Sequence, residues 1–249
     1  TGDLIARHYP ILPLICLPYR ASLPHLLGAG LKQAGGKIIA ITEAHCVFPP
    51  DWATRVIAAH TAITTPVIGG AVEPGKGLSR SAWALYFADY GQFMQPLQPG
   101  PAVEMPGENV SFKADVLAGH DFAASGFWKT FFCQSVEQSG HPLIAEPSIV
   151  IYYNRQLTGT QIVRRRWQHG RCFGGMRERT PIKRLLFGLS GLSLPALLTY
   201  RFFRKVWPKA RYRREFLLAL PTALLAILSW SIGEWWGNLS GTGNSCNYV

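Results

Sequence analysis

The run Ile38-Ile39-Ala40-Ile41-Thr42 stops abruptly on Glu43-Ala44-His45-Cys46, and this junction constrains the fold more than any other stretch. An apolar run rich in β-branched residues predicts a buried strand, which needs neighbouring strands and covering helices. A carboxylate and an imidazole two positions apart place an oxygen and a nitrogen donor at that strand's carboxyl end, the edge where open α/β sheets bind ligands. Glu43 and His45 are therefore the candidate metal ligands.

The flanking sequence repeats the alternation. Leu14-Ile15-Cys16-Leu17 reads as a short buried strand, and Leu23, Leu26, Leu27 and Leu31 recur at helical spacing until Gly35-Gly36 ends that helix. Pro50-Asp51-Trp52 opens a second helix through Ile63, Pro66 breaks it, and residues 67–72 read as another strand. A helix carrying Trp83, Tyr86, Phe87 and Tyr90 leads into a Pro/Gly loop over 96–107, long enough to act as a lid or acceptor loop. Residues 108–113 resume a strand, 127–139 form a helix stopped by Gly140, and 148–153 are β-branched and aromatic enough for a further strand. Strands alternating with helices of ten to fifteen residues predict βαβ units, hence an α/β fold with a mostly parallel sheet and flanking helices.

A chain of 249 residues can bury one good core and a small appendage. Its apolar excess, 48% hydrophobic residues, is concentrated near the C-terminus. One apolar run covers 185–200 and is broken by Pro195; a second covers 216–236 and is long enough to cross a bilayer. The net charge of +11 is concentrated too, in Arg164, Arg165, Arg166, Arg171, Arg177, Arg179, Lys183 and Arg184, and again over 201–214, which holds no acidic residue. Two full crossings would put these basic segments on opposite sides, against the positive-inside tendency. The expectation is that the first run is re-entrant or interfacial and only the second spans, with Trp230, Trp235 and Trp236 as an interface belt and Glu234 at headgroup depth. Basic residues beside apolar runs suit anionic lipid, and nucleic-acid binding is ranked well below it because no aromatic-interleaved sheet surface accompanies the charge. The five cysteines share no CxxC spacing, so neither a zinc site nor a disulfide framework is expected, and a reducing compartment fits. A glycosidase would need two facing carboxylates from a chain with few acidic residues.

The strand before Glu43, the segment Cys46-Val47-Phe48-Pro49-Pro50-Asp51-Trp52 after it and Pro106-Gly107-Glu108-Asn109-Val110-Ser111-Phe112-Lys113 together resemble the family 2 glycosyltransferases, an inverting group with the GT-A fold. The order of these blocks carries the resemblance, which runs from Thr1 to about Phe173 and extends to the C-terminal membrane segment of membrane-attached members. It implies that Glu43-Ala44-His45 stands where the family has Asp-x-Asp and binds Mg2+ or Mn2+ against the diphosphate of a nucleotide-sugar donor. It also implies that Glu108 and Asn109 lie by the donor sugar and acceptor, with Trp128 as another substrate-binding position. Gln161 and Arg164 partly match the family's Gln-x-x-Arg-Trp motif; an interfacial helix with Trp167 at headgroup depth reads those residues equally well.

An inverting transfer needs a base for the acceptor hydroxyl, which the family supplies as a carboxylate at a helix start. Trp128 and Lys129 occupy that place, and no carboxylate lies between Asp121 and Glu137. Either Asp121 is brought in as the catalytic base or catalysis is impaired. The function implied is transfer of a sugar to a glycan or lipid-linked acceptor at the cytoplasmic face of the inner or plasma membrane; the alternative is a scaffold at the membrane that keeps the fold without turnover. The domains expected are a glycosyltransferase domain over 1–157 lacking its first strand, a basic interfacial helix over 158–184, membrane segments over 185–236 and a tail. Under the resemblance an N-terminal strand and acidic turn precede Thr1.

Overall fold

The computed structural model describes residues 2–19, 21–177, 180 and 191–248. The expected apolar run over 185–200 and the last turn of the basic segment fall partly on 178–179 and 181–190, outside the described residues.

Six strands form one sheet: β1 (Ile38–Ile41), β2 (Cys46–Val47), β3 (Val67–Pro74), β4 (Gly100–Pro101), β5 (Val110–Lys113) and β6 (Ile144–Tyr153). Their order is β1-β5-β3-β6-β2, with β4 pairing on β6. The sheet is mixed, which corrects the mostly parallel expectation. Only β3 and β6 pair parallel; the β1–β5, β5–β3, β2–β6 and β4–β6 pairs are antiparallel. The physical reason is the long 91–109 connection. After the helix Arg80–Tyr90 it delivers β5 antiparallel between β1 and β3, where a direct return from the helix would give a parallel crossover.

Helices cover both faces. In chain order they are α1 (Gly2–His8), α2 (Leu23–Gln33), α3 (Trp52–Ala62), α4 (Arg80–Tyr90), the single turns α5 (Ala114–Leu117) and α6 (Phe122–Ser125), α7 (Lys129–Gln138), α8 (Gly159–Met176), α9 (Leu194–Val206) and α10 (Arg213–Ser240). Ser79 caps α4 by accepting from Ala82 N, and Thr158 and Gln161 form a reciprocal capping box on α8. On one face Val72 and Ile151 pack with Tyr86, Phe87, Ile162, Phe216 and Ala223 of α4, α8 and α10. On the other, Ile41, Val67, Val110 and Phe112 meet Phe127, Phe132 and Val136 around α7.

Two local expectations are corrected. Residues 14–17 form no strand: Leu14 and Ile15 are exposed, and Pro10, Pro13 and Pro18 remove backbone donors that a ladder would need. Cys172 and Cys246 are joined in a disulfide, because α10 returns the C-terminus to the end of α8 across 74 residues of sequence that show no spacing signal; Cys16, Cys46 and Cys133 are free. Of the expected membrane helices, one helix among the described residues, α10, is long and apolar enough to cross a bilayer. It packs along α8 and α4, through backbone approaches as close as those of Gly174 and Gly237, where an added Cβ would lie 2.3 Å from Glu234 O and 2.1 Å from Arg171 O.

Candidate active site

The antiparallel register of β1 and β5 builds the centre of the site. Ile41 pairs with Val110. Two residues beyond the pair in each direction stand Glu43 and Glu108, so the same register carried past the strand ends sets the two carboxylates opposite each other. His45 enters from the turn that leads to β2, fixed by Asn154 N donating to His45 O at 3.0 Å. Donor atoms of Glu43, His45 and Glu108 all lie within 4.8 Å of one another. His45 Nδ1 is 3.3 Å from Glu43 Oε2, and the imidazole edge meets the ring of Tyr153 at 5.1 Å.

Electrostatics mark this cluster as built for added positive charge. Burial pushes the Glu108 carboxyl well above the ordinary carboxylate range, with Glu43 and Asp89 adding to the push. Burial also raises Glu43, against the pull of Arg165 and Arg155. His45 is driven down to about 4, by burial first and then by the same two guanidinium groups, so its ring is neutral and keeps a lone pair for a metal. Two buried polar atoms here have no partner among the described residues, His45 Nε2 and Glu108 Oε2. Unpaired buried acceptors are costly unless a ligand completes them. Two carboxylates and an imidazole with unused valences therefore fit a divalent cation, and the oxygen-rich set with one nitrogen suits Mn2+ at least as well as Mg2+.

A ring of residues with no local motif in the sequence surrounds this centre. Tyr90 Oη donates to Glu108 Oε1. Arg155 Nη1 is 3.9 Å from Glu43 Oε2, Arg165 faces Glu43 and His45, and Asp89 pairs with Arg166. In sequence Tyr90 reads only as part of a helix and Arg165 and Arg166 only as part of the basic segment.

The remaining residues singled out from sequence engage other partners. Asn109 is buried and ties three elements together: its Nδ2 donates to Ala71 O and Ile149 O at 2.9 and 3.0 Å, and its Oδ1 accepts from Trp52 Nε1 at 3.0 Å. Trp128 donates its indole N–H to Ser125 O at the start of α7. Asp121 is exposed and caps α6, accepting from Ala124 N. Gln161 Oε1 accepts from Thr158 N in the cap of α8, and Arg164 is exposed on the same helix. Lys129 leads α7, and its ammonium donates to Met105 O on the side of Glu104 and Glu108. Burial lowers its pKa, which these two carboxylates partly restore.

A cleft of about 530 Å3 lies between β3, the 92–106 connection and α9. Glu104, Met105 and Pro106 line it, two to four residues before Glu108.

No family model matches the sequence, and no curated protein matches it. The structure is similar to that of the mannosyltransferase PcManGT from Pyrobaculum calidifontis in complex with GDP-Man and Mn2+, with a TM-score of 0.53 over 94% of this chain and 73% of that one, at 14% identity. The two chains share a fold.

Proposed function

We propose that this protein is a metal-assisted glycosyltransferase of the inverting GT-A type that takes its sugar from a nucleotide-sugar donor at a membrane surface. The observation that carries the reading is the convergence of Glu43, His45 and Glu108 at the end of β1, with two buried donor atoms unsatisfied. Similarity in fold to a protein that binds GDP-Man and Mn2+ supports it. Glu43, His45 and Glu108 would hold the cation, which when bound neutralises the charge that grows on a departing diphosphate. Arg155 and Arg165 add fixed positive charge on the same side, and Tyr90 orients Glu108 from behind. Membrane attachment is assigned to the apolar outer face of α10, with the active face turned toward the compartment that makes nucleotide sugars.

A second reading, a binding protein without turnover, is favoured by one observation: α7 begins with Lys129 where a carboxylate base is expected, and Asp121 caps a separate turn. Both readings share the metal site, so two measurements separate them. Mn2+ binding to the detergent-purified chain, followed by electron paramagnetic resonance, should weaken about 10- to 100-fold in Glu43→Gln, His45→Ala and Glu108→Gln. Nucleoside diphosphate release from GDP-mannose and other nucleotide sugars, with Mn2+ and a membrane-lipid extract as acceptor source, should appear in the wild type and vanish in those variants. Donor binding that persists undiminished in excess chelator would sink the proposal.

A further inference from the structure

We infer that the buried hydroxyl of Tyr153 is a binding group for the diphosphate of the donor, an inference that rests on the transferase reading and extends the site beyond its metal ligands. Side chains along a strand alternate between faces, so Tyr153 points with Ile151 into the core that α4, α8 and α10 close. As the last residue of β6 it also reaches the end of the sheet where the carboxylates stand. Its ring lies 5.1 Å from that of His45 and 5.0 Å from that of Tyr90, which holds Glu108. The Tyr153 side chain is 1% exposed, yet its Oη has no partner among the described residues. Tyr86, whose ring is 6.0 Å away, is equally buried but donates to Val72 O at 2.9 Å. A phenol buried without a partner is worse for folding than a phenylalanine of the same shape, so the Tyr153 oxygen calls for an acceptor that arrives with a ligand.

The unpartnered atoms divide by chemistry. Among the described residues six buried side-chain polar atoms lack a partner, and four of them belong to this one region: His45 Nε2, Glu108 Oε2, Tyr153 Oη and Arg166 Nε. The first two are the atoms offered to a cation. The other two are hydrogen-bond donors. Burial first, then the charge of Asp89, keeps the phenol protonated far above neutral pH, so it presents an O–H and not a phenolate. Asp89 itself is taken by Arg166. Arg155 and Arg165 also act on the Tyr153 hydroxyl, and their guanidinium groups oppose a second cation on that side. An anion bridging from the cation toward these groups satisfies both sets at once, and a diphosphate has oxygens enough to reach both.

The test compares Tyr153→Phe with Tyr86→Phe in the full detergent-purified chain. Stability is read by urea unfolding in chelator without ligand, and binding by titration with Mn2+ alone, then with inorganic pyrophosphate, GDP and UDP at saturating Mn2+. Tyr153→Phe should unfold at the same or a higher urea concentration than the wild type. It should bind Mn2+ alone within about twofold of the wild type and pyrophosphate about 10- to 100-fold more weakly. Tyr86→Phe, which strands Val72 O, should unfold at a lower urea concentration and bind pyrophosphate unchanged. Three results would overturn the inference: Tyr153→Phe destabilised as much as Tyr86→Phe, pyrophosphate affinity unchanged in Tyr153→Phe, or Mn2+ alone weakened as much as pyrophosphate. Because pyrophosphate carries no nucleoside, a wild type that binds it through Tyr153 but binds neither nucleotide nor any nucleotide sugar would reject the transferase reading and leave the anion site standing. A wild type that binds none of these anions would reject both.

Discussion

His60 on α3 places its Nε2 2.9 Å from Ser111 Oγ, while its Nδ1 is buried without a partner among the described residues. A protonated ring would bury an unsatisfied charge near Lys113, and burial with that charge holds the pKa down at about 4. In the unfolded chain the ring titrates near 6.5. Between these values the unfolded state binds more protons, so stability is fully present above pH 6.5 and is lost as pH falls toward 4. His60→Gln keeps a partner for Ser111 and removes the titration. We expect it to recover on the order of 1–3 kcal/mol of the stability that the wild type loses between pH 7 and 4.5, measured by urea unfolding. His45 is held down in the same way, so some acid sensitivity should remain; a variant as acid-labile as the wild type would show that His60 contributes none. At this scale the sequence spoke unevenly. Glu43 and His45 are two apart on one strand end and were legible as a pair. Glu108 was assigned to the donor sugar and acceptor, because its place opposite Glu43 comes from an antiparallel pairing across 65 residues that no local pattern encodes.

The pairing of α8 with α10 was legible in composition but not in role. Gly170 and Gly174 on α8 face Gly233 and Gly237 on α10, each pair four apart, so one face of each helix is bare enough for the two backbones to touch. The density of arginines hid this, since the same segment reads as a basic interfacial face. Gly174→Ala would drive a Cβ to 2.3 Å from Glu234 O, and Gly237→Ala to 2.1 Å from Arg171 O; neither carbonyl can retreat without separating the helices. Each substitution should cost about 2–4 kcal/mol in denaturant unfolding. Gly30 in α2 is the control. Nothing lies within 4 Å of a Cβ there, and Gly30→Ala should stabilise by about 0.5–1 kcal/mol through helix propensity alone. Equal effects at Gly30 and Gly174 would show that the close approach does not support the helix pair. The Cys172–Cys246 bridge clasps this unit at its far end, joining the end of α8 to the turn after α10, and Cys172→Ser should lower stability by about 2–4 kcal/mol under oxidising conditions only.

For the molecule as a whole, the longer strands were marked, the short β2 and β4 and the false strand over 14–17 were not told apart, and strand direction was not encoded locally. Residues 67–72 and 148–153 lie within β3 and β6, whereas the orientation of β5 depends on where the 91–109 connection delivers the chain, which is a tertiary outcome. Membrane attachment illustrates the same limit. Hydropathy selects α10, yet hydropathy does not say what lies beside it. Its inner face meets α4 and α8, which bring the Arg166–Asp89 pair and Arg171 with them, and Glu234 of α10 itself pairs with Arg177 at 2.8 Å. A charge at the bilayer centre costs about 2.5–3.5 kcal/mol, so carrying this bundle across would outweigh the gain from one apolar stripe. The outer face exposes Leu217, Leu218, Leu224, Leu225, Leu228, Ile232, Trp236 and Leu239, a line roughly 33 Å long at 1.5 Å per residue. Arg213 and Arg214 at its start are exposed and would suit anionic headgroups. We propose that α10 lies in the plane of one leaflet; the single crossing expected from sequence is the alternative, and α10 is long and apolar enough for it. Cysteines placed at Arg214 and Ser240, at the two polar ends of α10, in a background lacking the exposed Cys16 and in sealed vesicles, should both react with a membrane-impermeant reagent added on the side of the catalytic domain. Leu225→Glu/Ile232→Glu should release the protein from those vesicles while leaving Mn2+ binding intact. Labelling of the two positions from opposite sides would establish a true crossing and reject the in-plane arrangement.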